Sequence, residues 1–439
     1  MKDKSSLVDM AKNLAIILLS LSAVFLLFKA TVIGNGSFLD GIYGLFGDSS
    51  ASDTVELPEN EVAELASDPV YLLVTAANGS SHYAVKYGSD DKEKLIAQFS
   101  TDLGDALGSS GNPEEVSVEQ WRTALLASGV FFDYLYPQPL CAIASSLGTE
   151  INGGASLDTA RRFLLSSDGE ELVLYYLSES NGKIYRCNTA LSFSSLEPKI
   201  AECPIGSASF AFELGKDFSA LDPYFIFSHE KKALRAVNVS NPVRDGYDGA
   251  VLLECFGLNS RVVSEYTESD GSVAYVEGGK SLRIESSGKV IFDTSEDSGI
   301  LIGSSSGELT ITDCISACSK IVKNSIGQIS GEGVTELVNV SNLSSPSSCI
   351  ISFGYYVDGI PVTLPNGKNA ASFQILDGKI VKAELYLRSY TFPGETIVPL
   401  PEEQAAAIAK STGGEPLLTY EDKGDSVAFT WIRLKPMGV

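Results

Sequence analysis

Histidine is rare in this chain, and none of the residues that could carry enzyme chemistry lies in a recognised catalytic motif. His82 and His229 are the only histidines. His82 alternates with Tyr83 in a segment that predicts a strand, and His229 precedes Glu230-Lys231-Lys232. A Ser-His-Asp site stays possible by residue count, but no G-x-S-x-G segment presents a serine, and HExxH, GxxxxGK[ST] and strand-linked GxGxxG motifs are missing. We therefore expect both histidines to be surface or hydrogen-bonded strand residues, and the protein not to be an enzyme.

The cysteines predict neither a metal site nor a disulfide framework. Seven cysteines are scattered along the chain, and no CxxC occurs. Cys314 and Cys318 are four residues apart in a predicted helix, which places both on one face. Because a structural zinc site normally needs four ligands, two thiolates are a poor one. We expect buried free thiols, no metal and no cofactor.

The acidic composition argues against two classes of partner, nucleic acids and anionic membrane surfaces. The formal net charge is −24. Binding to nucleic acid depends on clustered Lys and Arg, so we expect no nucleic-acid partner. The same charge disfavours lying flat on an anionic membrane surface. Acidic pairs such as Glu114-Glu115 and Glu170-Glu171 are interpreted as solvated loops and not as the carboxylate pair of a glycosidase.

The N-terminal segment predicts a membrane anchor. An apolar run from Leu14 to Ile33 contains 20 residues, which matches a hydrocarbon core of about 30 Å. We predict a cytoplasmic N-terminus over 1–12 and a single transmembrane helix over 13–33, with the rest of the chain outside the cell. A cleaved signal peptide is the alternative, but no A-x-A site follows. Small residues allow close helix packing in lipid, and one face forms a candidate transmembrane contact face: Ala11, Ala15, Ser22 and Lys29.

The remaining chain predicts an α+β fold of three mixed antiparallel-sheet-and-helix domains. A flexible stalk is expected over 34–67, because Gly, Ser, Asp and Glu are frequent there. The predicted domains are an N-terminal α+β domain over 68–205, a middle α+β domain over 206–305 and a C-terminal α+β domain over 306–439. SLRIESSGKVIF in the middle domain resembles SFQILDGKIVKA in the last, which predicts that these two domains are related.

Local signals predict individual helices within these domains. Asp90 or Asp91 is expected to cap a helix in DDKEKLIAQFSTDLGDALG. Ser117 with Gln120 three residues on forms a capping-box pattern at the start of a second helix. Strands are predicted around SFAFEL and FIFSHEKKALRAVNV, and a further helix in ELTITDCISACSKIVKN.

Several segments resemble the YycH (WalH) family. Cys255–Phe292 is similar to the family's middle segment, in which a short helix precedes a Tyr, an acidic-Gly turn and two hairpins. Val130–Gly148 resembles its strand, Pro and short helix. Phe353–Val362, with FQILDGKIVKAELYLRSYTF behind it, resembles the C-terminal domain, which the family shares with its companion protein YycI. The likeness spans most of 69–434 but not 170–204, and the cysteines have no counterpart in the family pattern.

The resemblance implies a function in signalling. Family members are extracytoplasmic, single-pass membrane proteins of Gram-positive bacteria that accompany the sensor histidine kinase of the Yyc (Wal) two-component system. The implied partners are that kinase and a YycI-like protein, and the implied role is regulation of cell-wall homeostasis without catalytic residues. The alternative is an anchored cell-envelope ligand-binding protein or hydrolase of unknown substrate, which a deep pocket with converging polar groups would favour. Whether the kinase is activated or inhibited stays open.

Overall fold

The structure is a computed structural model that describes residues 54–55, 65–76, 81–88, 90–151, 154–228, 233–295, 298–304, 307–410 and 414–434. The predicted anchor over 13–33 and the contact face of Ala11, Ala15, Ser22 and Lys29 lie outside these residues. Among the residues described, no helix combines the length and apolar character that a membrane span requires. The described part is a mixed α+β fold, as predicted.

After a first short strand, β1 (Thr54–Val55), the chain builds an antiparallel sheet of seven strands in the order β3-β2-β5-β6-β7-β8-β4. Its strands are β2 (Tyr71–Thr75), β3 (His82–Lys86), β4 (Glu114–Val116), β5 (Gly129–Pro139), β6 (Thr159–Asp168), β7 (Glu171–Ser178) and β8 (Ile184–Ser192). Its helices are α1 (Asp90–Gly108), α2 (Val118–Leu126), α3 (Leu140–Ser146) and α4 (Glu197–Glu202).

Both faces of this sheet are covered, because side chains alternate along each strand. On one face Phe132 packs with Phe99 of α1 in one apolar cluster. On the other face Phe131 packs with Trp121 of α2, with ring centroids 6.4 Å apart. The strands are therefore apolar on both sides, which explains their nearly continuous hydrophobic runs.

The helix signals are confirmed with one correction. The amide of Gln120 donates to Ser117 Oγ at 3.2 Å, and the amide of Ser117 donates to Gln120 Oε1 at 2.9 Å, so the predicted capping box exists. Helix α1 begins at Asp90, so Asp90 and Asp91 lie in its first turn and not at the capping position. Carboxylates in this turn interact favourably with the helix dipole.

The next segment has much less strand than predicted. It contains only the short strands β9 (Ser209–Phe210), β10 (Ile226–Phe227), β11 (Leu234–Arg235) and β12 (Asn238–Ser240) before helix α5 (Ala250–Cys255). The strand predicted around SFAFEL is confirmed only at its start, Ser209–Phe210: Ala211–Phe218 forms 3₁₀ turns interrupted at Gly215, whose φ is 78°. Such a φ favours glycine and is incompatible with an extended strand.

The remaining elements follow the predicted order. The strands are β13 (Ser264–Thr267), β14 (Val273–Glu277), β15 (Lys280–Ile284), β16 (Lys289–Thr294), β17 (Ile300–Ile302), β18 (Gly333–Val340), β19 (Ile350–Val357), β20 (Ile360–Thr363), β21 (Ala371–Leu376), β22 (Lys379–Tyr386), β23 (Ser389–Thr391), β24 (Thr396–Ile397), β25 (Glu415–Asp422) and β26 (Val427–Leu434). The helices are α6 (Ile311–Asn324) and α7 (Glu402–Lys410).

Most of these strands belong to one sheet. Its main path runs β13-β14-β15-β16-β22-β21-β19-β20-β25-β26, with β1, β17 and β18 as side members. Strand β16 pairs antiparallel with β22, so Phe292 lies opposite Ala383. The two hairpins with similar sequences, β15–β16 and β21–β22, are therefore neighbours in a single sheet. The division of this region at 305 stays a prediction. The paired strands β16 and β22 lie on opposite sides of this boundary in the sequence.

The predicted stalk over 34–67 is too long at its C-terminal end. Strand β1 pairs in parallel with β17, with Val55 opposite Ile302. Leu65 is buried, and its amide donates to Ser146 Oγ at 3.0 Å. The amide of Ser67 donates to Gln138 Oε1 at 3.3 Å. Packed residues therefore precede Asp68, because these buried amides find partners in β5 and α3.

Candidate interaction site

His82 lies in a buried hydrogen-bonded group on β3. Its Nδ1 is 3.0 Å from Thr75 Oγ1, and its Nε2 is 3.4 Å from Glu213 Oε1. The Thr75 hydroxyl in turn donates to the carbonyl of Leu125 at 3.2 Å. The ring of Phe210 packs against the imidazole with its centroid 5.8 Å away. The residue order hydroxyl, imidazole and carboxylate resembles that of a hydrolase triad.

Two members of this group are buried, whereas the side chain of Glu213 is 25% exposed. Thr75 is 1% exposed and His82 is 4% exposed. Burial alone would raise the pKa of Glu213, but the hydrogen bonds from His82 and from the amide of Phe210 together lower it. His82 therefore has the hydrogen-bonded strand environment that its sequence predicts. His229, the second histidine, lies outside the described residues.

A buried ionic cluster links the seven-stranded sheet to β25. Asp133 on β5 accepts hydrogen bonds from Arg161 and Arg162 on β6, with Arg161 Nη2 2.8 Å from Asp133 Oδ2. The same arginines reach Glu415 at the start of β25, where Arg161 Nη1 lies 2.8 Å from Glu415 Oε2. Asp222 completes the cluster 3.0 Å from Arg162 Nη1. Three carboxylates thus face two guanidinium groups.

Beside this cluster, β3 and the C-terminal elements enclose a groove of about 220 Å³. We call it the 398–403 groove. Its lining is Ala84, Lys86, Tyr87, Ser228, Leu234, Val398, Pro399, Leu400, Pro401, Glu402, Glu403, Leu418 and Trp431. Several of the lining residues lie on β3, β25, β26 and α7. The groove therefore forms only when the fold brings together residues that are more than 300 positions apart in the sequence.

Polar contacts fix the walls of the 398–403 groove. Lys86 Nζ donates to Glu402 Oε1 at 2.9 Å and also to the carbonyl of Ile226. Glu402 Oε2 accepts the amide of Ser228 at 2.8 Å. Trp431 Nε1 donates to the carbonyl of Leu400 at 3.0 Å. Lys86 and Glu402 therefore form an ion pair in the wall of the groove.

The rim of the groove exposes large apolar side chains. Val398 is 73% exposed, Leu400 41% and Ile397 38%. Clustered exposed apolar residues are typical of protein contact sites, whereas single ones are ordinary. The arrangement can bind an apolar segment of another molecule. The sequence signal for it is IVPLPEE, which combines apolar residues with two prolines.

Apart from His82, the candidate residues named from the sequence form no metal site within the described part of the chain. No group of three His, Cys, Asp or Glu side chains there could hold a metal ion. The cysteines are free thiols, and Cys314 and Cys318 are buried on one face of α6 as predicted. What the described residues offer is therefore an apolar groove and a sheet surface.

Comparison with known proteins identifies one solved fold. The chain matches no family model. It also matches no curated protein sequence. Its structure is similar to the crystal structure of YycH from Bacillus subtilis, with a TM-score of 0.52 and 12% sequence identity over 87% of this chain and 97% of that chain. The resemblance to YycH that the sequence predicts is confirmed at the level of the fold.

Proposed function

We propose that this protein is a membrane-anchored, extracytoplasmic regulator of a two-component system. The observation that carries the proposal is the fold shared with YycH over nearly the whole length of both chains. The described residues support a contact role, because the 398–403 groove has apolar walls and exposes Val398 and Leu400 at its rim. Regulation of this kind requires only that the protein binds one state of its target better than another.

The proposed partners are a sensor histidine kinase and a YycI-like protein. The predicted helix over 13–33 would hold the chain beside the kinase in the bilayer, and the outer part would present the 398–403 groove. An apolar segment of a partner fits this groove, since Val398 and Leu400 are exposed at its rim. The pathway proposed for this system is cell-wall homeostasis in a Gram-positive bacterium.

Co-purification from gently solubilised membranes tests the proposal. The full-length chain is compared with a version in which 13–33 is replaced by an unrelated span. Recovery of a histidine kinase with the native anchor alone assigns recognition to the bilayer. Recovery with both chains assigns it to the outer part. Recovery of no kinase with either chain overturns the proposal.

A second candidate function is ligand binding in the cell envelope. It is favoured by the apolar walls of the 398–403 groove and by the Lys86–Glu402 pair beside them. Small-molecule sites commonly combine such walls with a few placed polar groups. Native mass spectrometry of the protein released from its membranes separates the two functions, because a retained small molecule supports the second.

A further inference from the structure

A pair of thiols approaches closely beside helix α6. Cys314 Sγ lies 3.4 Å from the carbonyl oxygen of Pro346, and Cys349 Sγ lies 3.5 Å from the same oxygen. Because both sulfur atoms contact one oxygen atom, the two thiols are neighbours, and the nearby Cys349 thiol raises the pKa of Cys314. A disulfide between them requires the sulfur atoms to approach to about 2 Å. The cysteines are 35 positions apart in the sequence, so only the fold brings them together.

We propose that Cys314 and Cys349 form a reversible disulfide, with Cys349 as the attacking thiol. Cys349 attacks one sulfur of an external disulfide, forms a mixed disulfide and releases one thiolate. Cys314 then attacks the sulfur of Cys349, which closes the internal disulfide and releases the second thiolate. The two cysteines lose two protons and two electrons, and the external disulfide is reduced to two thiols.

The surroundings of the two thiols suit these separate roles. Cys314 is 0% exposed and lies in the first turn of α6. That turn is fixed by a capping box, in which the amide of Asp313 donates to Thr310 Oγ1 at 3.1 Å. Cys349 is also buried, but its neighbours Ser348 and Ile350 are exposed at the start of β19. Cys349 is therefore the thiol nearer to solvent, and the neighbouring Cys314 thiol lowers its pKa.

The loop before Cys349 provides a route for the oxidant. Residues 342–348 form two successive turns with local bonds, Ser345 N to Asn342 O at 3.0 Å and Ser348 N to Ser345 O at 2.9 Å, and one longer-range bond from Gly378 N to Ser347 O at 3.2 Å. Asn342 Nδ2 also donates to Ser348 O at 2.8 Å. Segments held by few local hydrogen bonds open at lower free energy than core strands. Opening of this loop exposes Cys349 while the backbone of β19 stays paired.

The third nearby thiol is not the preferred partner. Cys318 lies one turn further along α6 and is fully buried. Its pKa is raised by burial and by the charge of Cys349, with no hydrogen bond to that thiol. Cys187 on β8 is equally buried and belongs to the other apolar cluster. These two cysteines supply matched controls, one adjacent to the pair and one remote from it.

Oxidation of the full-length protein with oxidised glutathione tests the proposal. The sample is alkylated, digested with trypsin without reduction and analysed by mass spectrometry. Trypsin leaves Cys314 and Cys318 in the peptide that ends at Lys320, and Cys349 in the peptide that ends at Lys368. The expected product joins these two peptides, is lighter than their sum by two hydrogen atoms and disappears on reduction. Fragment ions should place the bond on Cys314.

Variants make the assignment independent of fragmentation. Cys318→Ala and Cys187→Ala should keep the linked peptide, whereas Cys314→Ala and Cys349→Ala should lose it. The oxidised wild-type chain should also unfold at a higher temperature than the reduced one, because the bond constrains the unfolded chain. A bond on Cys318, a bond within the first peptide or no bond under excess oxidised glutathione overturns the proposal. If Cys314→Ala does not fold, the fragment ions of the wild-type product still decide.

Discussion

Asp133 and Glu415 bind the same two arginine side chains, yet their pKa values are shifted in opposite directions. Burial raises the pKa of both carboxyls, and Arg161 and Arg162 oppose it. At Asp133 the arginines prevail and the pKa lies below its ordinary value of 3.8. At Glu415 burial and the other carboxylates prevail and the pKa lies above its ordinary value of 4.5. Three carboxylates share two positive charges, so one carboxyl gains by holding a proton.

Neutralising the two carboxyls should therefore have unequal effects on stability. Asp133→Asn leaves two buried guanidinium groups with a poorer partner, and we expect a loss of about 3–5 kcal/mol in the free energy of unfolding. Glu415→Gln removes the surplus negative charge, so we expect a change of about 1 kcal/mol or less. Urea unfolding of both variants at neutral pH measures the difference. Equal losses would contradict the charge balance inferred for this cluster.

The same two carboxyls predict opposite contributions to the pH dependence of stability. The pKa of Asp133 is lower in the folded state, so its contribution is present above pH 3.8 and is lost as the pH falls through the folded value. The pKa of Glu415 is higher in the folded state, so its contribution is present below pH 4.5 and is lost as the pH rises through the folded value.

Glu415→Gln should therefore flatten the decline in stability above pH 4.5, and Asp133→Asn should flatten the decline on the acid side. Unfolding midpoints measured from pH 3 to pH 8 for the wild type and both variants check this. If the unfolding midpoint of Glu415→Gln depends on pH above 4.5 in the same way as that of the wild type, the decline is not due to Glu415.

A close backbone approach joins the end of β3 to the β19–β20 turn. The amide of Gly88 donates to the carbonyl of Asp358 at 2.7 Å, and a Cβ on Gly88 would lie 2.3 Å from that oxygen. Asp358 has a φ of 54°, and the next residue, Gly359, touches Gly88 as well. Neither of these two backbone segments can move away from the other without distorting its own turn.

We expect Gly88→Ala to lower the free energy of unfolding by about 1–3 kcal/mol or more, because the added methyl group overpacks two backbones. Gly111→Ala is the matched control: the nearest contact of a Cβ added there is the carbonyl oxygen of Asn188 at 3.5 Å, which is ordinary packing. Thermal unfolding of the two variants tests the contact. If the two variants have the same thermal unfolding midpoint, Gly88 and Asp358 lie further apart than the structure shows.

Local features of the fold are predictable from the sequence because their determinants are adjacent. Ser117 and Gln120 form the capping box that their spacing indicates. The Gly turn in SSGKV forms the β15–β16 hairpin, and Gly288 has the expected positive φ of 86°. In each case one or two turns of chain contain all the interacting atoms.

The candidate groove and the ionic cluster escape such prediction because their determinants are remote. Lys86 and Glu402 are 316 positions apart, and Arg161 and Glu415 are 254 apart. In a chain with 56 acidic residues, nothing local distinguishes Glu402 or Glu415 from a solvated side chain. The pairing of β16 with β22 is equally invisible, since both hairpins would also suit separate sheets.

The exposed rim of the 398–403 groove gives a direct test of the proposed contact surface. Val398→Asp places a carboxylate where we propose that a partner buries an apolar segment, so desolvation of the charge opposes binding. We expect the amount of kinase or YycI-like protein recovered with the full-length chain to fall by about tenfold or more, which corresponds to about 1.4 kcal/mol. Ile205→Asp is the matched control, because Ile205 is 92% exposed and does not line the groove. Neither change should alter the free energy of unfolding by more than about 0.5 kcal/mol, since both side chains face solvent. If both variants recover equal amounts of the partner protein, the contact surface lies outside the groove. If only Val398→Asp loses the partner protein, the contact surface includes the groove.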